Sequence, residues 1–231
     1  MDEKTLFVIN PNASDIVTDG IVQAVSNLGR LGVPIQCLTL EEGPPAIETQ
    51  AESDLVVGPL LRKAGALEGQ AAGFVVACFS DPGVHALREQ STRPVLGIQE
   101  AAVTTAMTVG QRFGIIAILP ASVKRHERAM GAMGVQARFA ASRALGLGVA
   151  ELADPAVTLD RMIAVGRHLR DHDGADVLIL GCAGMAGYRP EIEARLDVPV
   201  IDPCQAATSI MVGRIALAAN ETVSEPTRLQ A

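Results

Sequence analysis

The chain has 231 residues, 48 % of them hydrophobic and 19 % charged, and a formal net charge of −7. That length and balance fit a globular protein with a sizeable core, as one domain or two small ones, and not a disordered chain. The negative charge argues against a nucleic-acid partner bound through its phosphates, and the absence of Trp with a single Tyr argues against a base-stacking platform.

The N-terminus lacks a charged-then-apolar signal pattern. No apolar run approaches the ~20 residues of a membrane span, so no membrane partner is expected. The expected location is the cytoplasm, where thiols stay reduced. The four cysteines, Cys37, Cys78, Cys182 and Cys204, show no close C-x-x-C pairing, so neither a zinc site nor any other metal site is expected.

Residues 5–9 form an apolar strand broken by Asn10-Pro11-Asn12-Ala13-Ser14. A break there fits a ligand-facing loop or a plain turn with helix caps. Residues 15–30 carry helical spacing, and 34–40 read as a second strand with Cys37 as a small core residue. Gly43-Pro44-Pro45-Ala46-Ile47-Glu48 rules out a regular element over 41–51 and suits a loop over a site or an ordinary surface crossing. A helix over 53–68 precedes a third strand at 73–77, which ends at Cys78.

Asp81-Pro82 pairs a favoured N-cap with a favoured first helical residue, so a helix is expected from Pro82 to about Gln90. His85 reads as structural or exposed. Residues 94–98 form the fourth strand, followed by a helix to about Gly110, and 113–119 form the fifth. Pro120-Ala121-Ser122 then echoes Pro11-Asn12-Ala13-Ser14 and opens a second half. A helix over 124–133 carries a charged face, most simply solvated. A sixth strand is expected at 135–140. A long helix over 155–172 follows, with Asp154 as its cap; His168 and His172 on it suit a solvated face better than a metal site. The seventh strand, 177–180, leads to Cys182. A short helix over 191–196, an eighth strand at 199–201 and a closing helix over 205–219 complete the pattern.

Strands that alternate with helices and read as unbroken apolar runs predict an α/β fold with parallel sheets covered on both faces. Both halves follow the same order. The expected architecture is two pseudo-twofold-related lobes, residues 1–104 and 105–219, each a mainly parallel four-stranded sheet flanked by helices, with the active-site cleft between them. The closing helix is free to pack onto the first lobe, and 220–231 is expected to be a flexible tail.

The halves carry mirrored cysteine turns. Gly73-Phe74-Val75-Val76 leads into Ala77-Cys78-Phe79-Ser80-Asp81-Pro82-Gly83; Val177-Leu178-Ile179-Leu180 leads into Gly181-Cys182-Ala183-Gly184-Met185. Ligands bind outside the carboxyl ends of such sheets, so the thiols approach one cleft from opposite sides. Two like acid–base groups on opposite faces of one carbon suit inversion of a stereocentre. One thiolate removes a proton, the opposite thiol returns one, and the roles exchange in reverse. A thiol with a pKa of roughly 8.5 is a workable base for this. The backbone N–H groups of Phe79, Ser80, Ala183 and Gly184 are placed to receive charge developing on a substrate carbonyl. No phosphate-loop or dinucleotide motif is present and neither turn holds a lysine, so no cofactor is expected.

At these residues the chain resembles the Asp/Glu/hydantoin racemase superfamily, and its hydantoin and allantoin racemase branch in particular. Asn10-Pro11-Asn12, Gly43-Pro44-Pro45-Ala46-Ile47-Glu48 and the two cysteine turns carry the resemblance, with Cys-Phe-Ser-Asp-Pro-Gly its most specific part. It covers nearly the whole chain. It implies two cleft cysteines, Cys78 and Cys182, as the bases, with substrate carbonyls held by the amides that follow them. Asn10 and Ile47 complete the expected substrate contacts. It also implies homo-oligomers, often tetramers or larger.

Amino-acid racemases of the superfamily carry Cys-Asn-Thr and Cys-Thr-His at these places. Here they read Cys78-Phe79-Ser80 and Cys182-Ala183-Gly184, which suits a small neutral ring better than a zwitterion. An Asp/Glu-type racemase, a maleate cis–trans isomerase and an arylmalonate decarboxylase-like enzyme remain alternatives. So does a two-lobed small-molecule binding module.

Overall fold

The computed structural model describes residues 4–153 and 155–219. Two four-stranded sheets, every pairing parallel, make up its frame. The first contains β1 (Thr5–Asn10), β2 (Ile35–Thr39), β3 (Ala71–Val76) and β4 (Val95–Gly97) in the order β2-β1-β3-β4. The second contains β5 (Phe113–Ala117), β6 (Phe139–Ala144), β7 (Val177–Leu180) and β8 (Val200–Ile201) in the matching order β6-β5-β7-β8. The α/β fold with two sheets of one topology is as expected.

Between the strands run α1 (Asp15–Val25), α2 (Gln50–Leu55), α3 (Val57–Leu67), α4 (Val84–Gln90), α5 (Ile98–Val109), α6 (Pro120–Ala132), α7 (Pro155–Asp171), α8 (Arg189–Leu196) and α9 (Pro203–Ala219). Among the described residues no helix is long and apolar enough to cross a membrane.

Burial divides into three clusters. Phe7, Ile9, Phe74 and Val76 point to the outer face of the first sheet, under α3 and α4. Ile116, Leu178 and Leu180 point to the outer face of the second, under α7 and α8. The third cluster lies between the sheets and belongs to both: Leu6, Val8 and Val75 meet Ile115, Val177 and Ile179 through the small faces of α5 and α9, where Ala101, Ala102, Ala106 and Ala207 permit close approach. The expected boundary at residue 104 falls inside α5, which runs unbroken across it. α9 packs on α1, α5 and β3, so it crosses back to the first sheet.

Several boundaries differ from expectation for identifiable reasons. The single helix expected over 53–68 is two. Thr49 starts α2 through a capping box with Glu52, inside the segment expected to be irregular, and Pro59 lacks the N–H that would continue the ladder to Leu55. The helix expected over 15–30 gives way to a 3-10 turn at Ser26–Leu31. The sixth strand starts at Phe139, not 135. It is half-exposed at the edge of its sheet and carries Ser142 and Arg143, so it does not read as an apolar run.

Asp81 does not cap a helix beginning at Pro82. Its φ is +46°, and α4 begins at Val84 after Gly83 with φ +68°. Asp154 and residues 220–231 lie outside the described residues, and with them the expected cap and tail.

Candidate active site

The two cysteine turns are set by the same device. After β3, the Ala77 N–H bonds Ile9 O of β1 at 2.8 Å; after β7, the Gly181 N–H bonds Ile116 O of β5 at 2.8 Å. Each extra rung carries a central strand one residue further and delivers a cysteine just beyond the sheet's carboxyl end. Cys78 and Cys182 both lie in the wall of one cleft. All four cysteines are free thiols.

The first turn is braced from behind. Both carboxylate oxygens of Asp81 accept backbone N–H groups at the start of α5, from Gln99 and Glu100, each at 2.9 Å. A buried carboxylate at a helix N-terminus satisfies orphan donors and meets the positive end of the helix dipole. Burial pushes its pKa up and the two N–H bonds pull it down, leaving it at about 7. The bond needs Gly97: a Cβ there would sit 2.1 Å from the Asp81 Cγ.

The residues two positions after each cysteine turn back to its sulfur. The Ser80 hydroxyl lies 3.3 Å from the Cys78 Sγ, and the Ser80 N–H also bonds that thiol. The Gly184 N–H bonds the Cys182 thiol. Each amide thus lowers the pKa of the thiol two residues before it, against burial. Burial raises the pKa of both thiols, Cys182 to about 12. Cys37, half-buried in the core as expected, is pushed up to about 11 by burial.

Of the other expected contacts, Ile47, Phe79, Ser80 and Ala183 line the cleft. Gly184 faces an adjoining groove that shares Val17 and Val149 with the cleft wall. Asn10 is a correction. It is fully buried, and its amide is spent on the loop it begins, donating to Asn12 Oδ1 at 2.9 Å, Ser14 O at 3.1 Å and Thr18 Oγ1 at 3.1 Å. The cleft-facing residue of that loop is Asn12, which Asn10 holds in place.

Sequence reading missed the contribution of α6. Lys124, Glu127 and Arg128 are exposed, as a solvated face requires, but Arg125 and His126 turn into the cleft wall. Arg125 donates to Glu48 O at 2.7 Å and Ser122 Oγ at 3.0 Å, both uncharged, and its cation favours the thiolate of Cys78. His126 is buried with its edge against the Phe79 ring, centroids 5.1 Å apart, and its Nδ1 is 2.9 Å from Ser142 Oγ. Burial, with Arg125 beside it, lowers its pKa to about 3, so it is neutral at ordinary pH. The signal available in sequence was the pairing of Pro120-Ala121-Ser122 with the first loop, which places the start of α6 at the cleft.

Loop 43–49 closes one side. Gly43 packs where a Cβ would meet Pro11 O at 2.2 Å, and the Glu48 carboxylate reaches the second lobe to accept the Val149 N–H at 2.8 Å. His85, His168 and His172 are exposed and away from this site, and among the described residues no group of His, Cys, Asp and Glu is arranged to hold a metal.

Two parallel sheets delivering matched thiols to a shared cleft define a class that comparison identifies. Residues 6–211 match the model of the Asp/Glu/Hydantoin racemase family, and the chain belongs to that family. It is 32 % identical over 215 residues to a hydantoin racemase of Paenarthrobacter aurescens, covering 92 % of this chain and 91 % of that protein. It is 35 % identical over 198 residues to a hydantoin racemase of Pseudomonas sp. (strain NS671), covering 84 % and 79 %. Among solved structures, allantoin racemase from Klebsiella pneumoniae superposes with a TM-score of 0.88 at 29 % identity, covering 99 % of this chain and 96 % of that one.

Proposed function

We propose that this protein is a racemase that inverts C5 of a 5-substituted hydantoin or of allantoin, by proton transfer between Cys78 and Cys182 and without a cofactor. The observation that carries this reading is the presence of both thiols, each at the end of an equivalent strand and each with a backbone N–H on its sulfur, in the wall of one cleft. The hydantoin and allantoin racemases among its relatives support the substrate class.

The C5 proton is adjacent to a ring carbonyl. Its removal by one thiolate sends charge to that oxygen, and the opposite thiol protonates the other face. With the Ser80 and Gly184 amides engaged by sulfur, the N–H groups of Phe79 and Ala183, each next to a cysteine, are the ones left for the oxyanion. Ala183 begins a 3-10 turn and so has no acceptor within it. The apolar wall from Ile47, Phe79 and Ala183 suits a neutral ring, because an unpaired charge would be costly there. The working form is read as a cytoplasmic homo-oligomer of four or more copies.

Incubating single enantiomers of allantoin and of aliphatic and aromatic 5-substituted hydantoins in D2O tests this. The expected result is loss of optical rotation with deuterium entering at C5. Failure to exchange C5 in any of them removes the reading.

A further inference from the structure

We propose that the hydroxyl pair Ser53–Ser80 makes Cys78, rather than Cys182, the cleft cysteine that ionises first, so that the base of the unliganded enzyme sits on the first lobe and the acid on the second. The inference rests on the two-thiol reading for its catalytic meaning, but its chemistry concerns the free protein.

The asymmetry lies at equivalent positions. Two residues after Cys78 stands Ser80; two residues after Cys182 stands Gly184. Both offer a backbone N–H to the sulfur, but only Ser80 adds a hydroxyl, 3.3 Å from Sγ. The Ser80 Oγ lies in turn 3.2 Å from Ser53 Oγ, on α2 and buried. When Ser53 donates to Ser80, the Ser80 proton is directed at the sulfur. A thiolate accepts such a bond more strongly than a thiol does, so the bond favours loss of the proton.

The charges around the two sulfurs differ: Cys78 has one of each sign, and the Ser80 hydroxyl outweighs both. Asp81 opposes the Cys78 thiolate, and Arg125, held by Glu48 O and Ser122 Oγ, partly offsets that charge. The Asp81 carboxylate is engaged by two N–H groups at the start of α5, facing away from the cleft wall. Cys182 meets only unfavourable charges, from Glu48 and from Cys78 itself. Once Cys78 has given its proton to water, its charge therefore holds the proton on Cys182, and the pair rests as one thiolate and one thiol. His126 is neutral throughout and adds no charge.

Alkylation of the substrate-free protein by iodoacetamide between pH 6 and 9.5, followed by peptide mapping, tests this. The thiolate attacks the reagent's CH2 carbon, a C–S bond forms and iodide leaves, so the rate follows the thiolate fraction. Cys78 is expected to react on the order of tenfold faster than Cys182 at pH 7.5, as one unit of pKa difference would give. Ser80→Gly, which makes the two turns alike, should bring the ratio towards one, and Ser53→Ala should fall between.

Thiolate absorbance near 240 nm gives a second measure that does not depend on reagent access. Cys182→Ala, which keeps Cys78, should titrate at lower pH than Cys78→Ala. Equal titrations, Cys182 reacting first, or a ratio unmoved by Ser80→Gly would each overturn the proposal. None of these results depends on finding the substrate, so they are separate from the racemisation test.

Discussion

The two cysteine turns leave their sheets in the same way and then part. Up to the sulfur they are superposable in plan: a buried central strand, one added rung of 2.8 Å to the first strand of its sheet, then cysteine. Beyond it, the first turn folds tightly through Asp81 and is tied across to the start of α5. The second continues as a 3-10 turn, Ala183–Tyr188, with no such tie. In the second lobe the carboxylate at the equivalent helix is Asp202, which caps its own α9 by accepting the Gln205 N–H at 2.8 Å. Strand pairing therefore places both sulfurs, and the residues after them set each one's environment. A pair of groups can share a role in inversion while differing in protonation.

The largest effects should come from the shared part. Cys78→Ser and Cys182→Ser are each expected to lower the racemisation rate by about 10²–10⁴, the usual worth of a positioned acid–base group. Polarimetry measures this, and full activity in either variant would refute the two-thiol scheme. Deuterium exchange at C5 from one enantiomer only is compatible with it, since one base remains.

The part that differs should appear in stability. Asp81→Ala leaves two N–H groups at the buried start of α5 unpaired and should cost about 2–3 kcal/mol in urea unfolding. Asp202→Ala should cost less, about 1 kcal/mol, because its second carboxylate oxygen is buried without a partner and its removal gives some of the loss back. Gly97→Ala should resemble Asp81→Ala, since its methyl would occupy the carboxylate's place. The double variant should then cost clearly less than the two single losses added, as expected for residues competing for one space. Additive losses would show that Asp81 and Gly97 act separately.

These contrasts also show what a sequence can disclose. The topology was legible because both halves use buried parallel strands, which read as apolar runs, and β7 was placed at Val177–Leu180 as found. The cysteines were legible because such runs end at the cleft. Asp81-Pro82-Gly83 was not, because Asp next to Pro is the signature of a local cap, while its carboxylate here serves a helix beginning 17 residues later at Ile98. Asn10 and Asn12 look alike in a loop, and only packing assigns one to support and the other to the wall. Arg125 and His126 were hidden for a similar reason. Charged residues on a helix usually face water, and only the echo of the first loop in Pro120-Ala121-Ser122 marks this helix as beginning at the rim of a cleft.

The smallest expected effect separates the lobes by pH. His126 packs in the second lobe's half of the wall, and its folded pKa of about 3 lies below the unfolded value of about 6.5. Its contribution to stability is therefore complete above pH 6.5 and is lost as pH falls towards 3, because the unfolded chain takes up the proton first. Asp81 in the first lobe has the opposite sign. Its folded pKa of about 7 lies above the unfolded value of about 3.9, so its contribution is complete below pH 3.9 and is lost as pH rises to 7. Between these limits the two slopes oppose each other, and a wild-type curve alone conceals both. Comparison with His126→Asn exposes the first: between pH 6.5 and 5.5 the wild type should lose about 1 kcal/mol relative to the variant. Urea unfolding at the two pH values measures it, and a difference that does not change with pH would mean that His126 is protonated in the folded protein, with its ring open to solvent.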